Sequence, residues 1–135
     1  MGLFGNKKDT RPVDEGLARI GGVDEKTAID FWSKRLDLIC AVPSDVARVG
    51  ALTPQIRELT RIEDLEARKR ITRARLIAFA QLPQNKRDIL AAARRQAFSV
   101  DPEVMNTDQK LVDELLPGLD ANVRSAYPSA PAGVA

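Results

Sequence analysis

Between Pro54 and Pro83 the chain contains neither glycine nor proline. Thr53-Pro54 opens this stretch as a helix-start signal: a capping hydroxyl, then proline where a missing N–H costs nothing. The pattern predicts one long helix over Thr53–Leu82, about 27–29 residues and ~40 Å long at 1.5 Å per residue. A second helical pattern, Asn85–Phe98, follows after a single proline. The two are expected to form an αα-hairpin, with Ile89, Leu90, Ala93 and Ala97 on the packed face of the second helix.

The rest of the chain points the same way. Asp24 is placed to cap a helix whose Ile29, Trp32, Leu36, Ile39 and Val42 recur at helical spacing, with Pro43 as its stop. Ser44 caps a short turn through Val46 and Val49 that ends at Gly50. Asp101-Pro102 repeats the cap-then-proline signal for a short turn. Thr107–Leu116 reads as an amphipathic helix broken by Pro117-Gly118, and Leu119–Tyr127 as a last short helix. Aromatic residues make up only 4% of the chain, so Leu, Ile, Val and Ala must build the core; strands are marked by β-branched and aromatic enrichment. The expected fold is all-α: a small multi-helix domain with a long central helix at about 53–82. Residues 1–12 read as a flexible leader, 13–127 as the helical domain and 128–135 as a disordered tail. Val13–Ile20 could add a short helix ended by Gly21-Gly22.

Composition excludes several chemistries. The chain has no histidine, which removes the commonest general base and metal ligand. Ser-His-Asp and Cys-His catalysis are excluded, as are the usual zinc sites and a His-ligated haem. Cys40 is the single cysteine. It allows no intramolecular disulfide and fits a reducing, cytoplasmic setting. Its apolar neighbours make it a structural thiol. The carboxylates Asp101, Glu103, Asp108, Asp113, Glu114 and Asp120 match no calcium loop or paired-carboxylate motif. No cofactor, metal or catalytic residue is expected. Arginines outnumber lysines by 14 to 7, a composition typical of a GC-rich bacterial genome.

No apolar run is long enough to span a membrane, and no signal-peptide core is visible. Met1-Gly2-Leu3-Phe4 with Lys7-Lys8 makes only a marginal anchor, so peripheral membrane contact by residues 1–8 is not expected.

Charge is segregated. Residues 57–95 hold 11 basic and 5 acidic side chains, whereas residues 96–135 hold 2 basic and 6 acidic. Within the long helix Arg57, Arg61, Arg68 and Arg75 are spaced by 4, 7 and 7 residues. At ~100° per residue they share an arc of ~40°. The helix ends are apolar and Glu66–Arg75 is mostly polar, so Arg68 and Arg75 are the favoured docking groups. Asp64–Arg68 and Glu66–Arg70, at helical i, i+4 spacing, would support a merely solvated face. Trp32 reads as a core or interface anchor. The functional expectation is a non-enzymatic interaction protein (adaptor, assembly subunit or small regulator). It would dock an acidic protein surface through the basic helix face Arg57, Arg61, Arg68 and Arg75. The alternative is a nucleic-acid-binding protein using the basic segment 57–95. That reading lacks interleaved aromatics and any recognition-helix pattern.

Overall fold

The computed structural model describes residues 23–127. The leader, the Val13–Ile20 helix and the tail beyond residue 127 lie outside the described residues. The fold is all-α, with six α-helices, a 3₁₀ turn and no strand among the described residues. They are α1 (Glu25–Ala41), α2 (Asp45–Thr60), α3 (Leu65–Ala80), α4 (Gln84–Val100), α5 (Pro102–Leu115), the 3₁₀ turn Leu116–Gly118 and α6 (Ala121–Ala126).

The long central helix is not formed. Thr53-Pro54 lies inside α2, not at a helix start. α2 begins instead at Ser44, whose hydroxyl accepts from the Ala47 N–H at 3.1 Å, and it runs through Gly50. Proline in mid-helix removes an N–H and crowds the carbonyl four residues back. That residue is Gly50, which is exposed and has no side chain in the way. Thr53 turns its hydroxyl back onto the Val49 carbonyl at 2.8 Å, the usual refuge of a mid-helix threonine. Burial of Leu52, Ile56 and Leu59 on the opposite face holds the helix together across this weak point.

α2 then ends at Thr60, and α3 starts afresh at Leu65. Side chains stabilise both ends of the break. The Asp64 carboxylate accepts from the Ala67 N–H at 3.1 Å and so caps α3. Arg68 donates to the Thr60 carbonyl at 2.9 Å, satisfying the frayed end of α2. Helix ends need such partners because their last N–H and C=O groups have none within the helix.

The expected hairpin is also replaced. α3 and α4 do not pack along each other; α4 lies on α2 and α5, while the most extensive helix pair is α1 with α3. The Asp101-Pro102 turn and the helix after it are one element, α5, capped by Asp101 through the Val104 N–H.

The main core gathers Trp32, Ile56, Leu59, Ile71 and Met105, all essentially without solvent contact. Trp32 is thus a core anchor. A smaller cluster of Leu76, Val112, Leu119 and Val123 seats α6, and Tyr127 packs against both clusters.

Candidate functional site

The break between α2 and α3 scatters the four arginines. Arg57, half-buried, pairs with Asp101 at 3.2 Å. Arg61, just past the end of α2, is exposed and pairs with Glu58 of that helix at 2.9 Å. Arg68 is half-buried and holds the end of α2. Arg75 is only 4% exposed. The four form no common stripe, and the two favoured as free docking groups are both tied into the fold. The helical phase that aligned them was lost at residues 61–64, where the backbone leaves the helix. The expected Asp64–Arg68 pair gives way to the capping role of Asp64.

Arg75 belongs to a buried polar cluster. Its two terminal nitrogens donate to the two oxygens of Asp108 at 3.0 and 2.8 Å, the bidentate geometry a planar guanidinium favours. Arg94 from α4 donates to Asp108 at 2.9 Å and to the Gln109 side-chain carbonyl at 2.8 Å. Gln109 in turn donates to Asp113 at 2.9 Å. The Arg94 guanidinium also lies 5.5 Å from the Phe98 ring centre and 5.7 Å from that of Tyr127, within cation–π range. Burial alone would lower the Arg75 pKa, but Asp108 and then Tyr127 more than offset it, so the value is raised. Burial likewise pushes Asp108 up, and the two guanidinium groups overcome it, leaving Asp108 below the ordinary carboxylate value. Arg75 and Asp108 therefore stay charged near neutral pH.

Neither Arg94 nor Asp108 stood out in the sequence as a functional residue. A signal was present: both fall on apolar faces. Arg94 follows Leu90 by four residues and precedes Phe98 by four, and Asp108 lies between Met105 and Leu111-Val112. Opposite charges on two buried faces imply a pair.

Beside this cluster is a small, partly open central cavity of about 40 Å³, with the half-buried Ala91 and Tyr127 in its lining. Arg75, Arg94 and Tyr127 form its polar edge, and side chains such as Leu36, Ile56 and Leu90 form its apolar wall.

The chain matches no family model, no curated protein and no solved structure.

The larger opening is a surface groove of about 370 Å³ between α2 and α4. Val46, Gly50, Pro54 and Arg57 line it from α2, and Gln96 and Val100 from α4. Val46 is 82% exposed and Val100 65%, although both are aliphatic. Pro54 has no N–H to offer the Gly50 carbonyl, so that acceptor lacks its normal helical donor. Of the basic side chains on α4, Arg94 is buried on Asp108, Lys86 pairs with Asp37 and Arg87 holds the Leu82 carbonyl, which leaves Arg95 beside the groove residue Gln96. Arg95 is exposed, with no ion-pair partner among the described residues.

Other chemistry is sparse. Cys40 is half-buried and its thiol donates to the Lys86 carbonyl at 3.7 Å. Burial raises its pKa, against a smaller opposing pull from Lys86, so it is held as a thiol, the unreactive form. Among the described residues no group of three or more Cys, Asp or Glu side chains is arranged to hold a metal ion. No helix among them is long and apolar enough to cross a membrane.

Proposed function

We propose that the protein is a non-enzymatic interaction module, an adaptor, assembly subunit or small regulator, that docks an acidic partner segment in the α2–α4 groove. One observation carries this reading. Two strongly exposed aliphatic side chains, Val46 and Val100, come from different helices and flank the same depression. An aliphatic pair exposed singly needs no explanation, but a shared apolar groove does.

Charge supports the choice of occupant. Arg95, exposed, is next to the groove residue Gln96; Arg57 closes one end of the groove and Arg61 follows the end of α2, where a partner's carboxylates would compete with Asp101 and Glu58 for them. The occupant that fits is a short protein segment with aliphatic side chains on one face and carboxylates beside them. Aliphatic groups would fill the groove, and the carboxylates would reach the arginines. Of the arginines expected from sequence to dock a partner, this reading keeps Arg57 and Arg61. It assigns Arg68 and Arg75 to the fold. The single cysteine, held as a thiol, is consistent with a reducing compartment such as the cytoplasm.

The test is a titration with a short labelled helical peptide bearing leucines on one face and glutamates beside them. Binding is expected, with loss of at least about tenfold in affinity for Val46→Glu combined with Val100→Glu, a change of ~1.4 kcal/mol or more. Preference for labelled duplex DNA over the peptide, falling steeply with salt, would replace this reading with nucleic-acid binding.

A further inference from the structure

We propose that the central cavity binds one small monovalent anion, a halide or a formate-sized carboxylate, held against Arg75 and Arg94. Arg75, Arg94 and Asp108 have side chains only 5%, 9% and 1% exposed. Two guanidinium cations share one carboxylate, so the buried cluster carries one positive charge in excess. The nearest further carboxylate on the network, Asp113, is exposed and reaches the cluster only through the neutral amide of Gln109. Cation–π contacts with Phe98 and Tyr127 spread the excess charge without cancelling it. A buried charge left without a counter-charge is costly.

Geometry supplies the place for a counterion. Arg75 and Arg94 both line the cavity, and so does Tyr127. Two guanidinium groups carry more N–H donors than Asp108 and Gln109 accept. The phenol of Tyr127 adds a polar group on the same edge.

Size and charge then select the ligand class. A cavity of about 40 Å³ suits a small occupant. One excess positive charge calls for one negative charge. Phosphate and sulfate carry more negative charge than the cluster has in excess. The apolar wall, built from residues such as Leu36 and Leu90, disfavours a fully hydrated ion and suits a weakly hydrated one.

The site is independent of the docking groove. α2 and α4 present Ile56 and Leu90 to the cavity but Val46 and Val100 to the groove.

Bromide is the probe. Crystals of the full chain soaked in sodium bromide should show an anomalous peak within hydrogen-bond reach of the Arg75 and Arg94 guanidinium groups. Replacing bromide by formate should leave planar density there with no anomalous signal. In Ala91→Leu, which extends a side chain at the cavity wall while keeping the charge cluster, the peak should vanish. Bromide should also raise the unfolding midpoint of the wild type saturably at fixed ionic strength, more than that of Ala91→Leu. Bromide peaks confined to the surface, or a cavity filled only by water, would overturn the proposal. The wild-type crystal alone decides this, even if the variant does not fold.

Discussion

Arg75 and Asp108 meet through two parallel hydrogen bonds, at 3.0 and 2.8 Å, with their side chains only 5% and 1% exposed. Arg75 comes from α3 and Asp108 from α5, and Arg94 brings α4 to the same carboxylate. Three helices are thus registered on one aspartate. The contact requires those helices to sit at one depth and one rotation, which apolar packing alone specifies less sharply.

Asp108→Ala should therefore be among the most damaging single changes. It leaves two guanidinium groups buried with one partner removed from both. Breaking a buried pair in this way costs about 3–5 kcal/mol. Urea unfolding should show that loss as a lower midpoint with little change in slope. A loss below about 1 kcal/mol would mean the cluster is effectively solvated.

Acid should weaken the fold through the same residue. The folded pKa of Asp108 is below its ordinary value. Its contribution is therefore fully present above an unfolded-state pKa of about 3.9 and is lost as pH falls through the lower folded value. Stability measured from pH 6 downward should stay level until roughly pH 4 and then drop. Asp108→Asn should flatten that drop. An identical acid profile in the variant would assign the transition to other carboxylates.

The break between α2 and α3 yields opposite expectations for two accounts of one residue. As the cap of α3, Asp64 should lose about 0.5–2 kcal/mol on mutation to alanine. In an uninterrupted helix the same change would help, because alanine has the higher propensity. Chemical denaturation of Asp64→Ala separates the two by sign.

Gly50 offers a stabilising change. It lies within α2, and an added methyl group would meet nothing within 4 Å. Gly50→Ala should raise stability by about 0.5–1 kcal/mol. No gain would indicate that the Pro54 distortion already holds this turn away from ideal helix.

The all-α architecture was legible because its signals are local. Asp24, Ser44 and Asp101 each cap the helix that follows them. The amphipathic spacing of Trp32, Leu36 and Ile39 marks the buried face of α1. The position of the α2–α3 break was harder to read. Thr53-Pro54 carries a stronger start signal than Asp64, yet burial of Leu52, Ile56 and Leu59 on one face carries the helix through it. Tertiary burial outweighed local propensity there. The arginine stripe failed for the same reason, since its alignment assumed unbroken helical phase. Val46 and Val100 were not legible as a pair, because they are 54 positions apart in the chain and only the packing of α2 on α4 brings them to one groove.

The most direct test of the docking proposal is an NMR titration of the labelled full chain with the leucine- and glutamate-bearing peptide. Amide shifts are expected to concentrate at Val46, Gly50, Arg57, Gln96 and Val100, and to disappear in the Val46→Glu, Val100→Glu double variant, which should remain folded because both positions are exposed. Shifts centred on another face, or unchanged affinity in the folded double variant, would contradict the assignment of the α2–α4 groove as the binding surface.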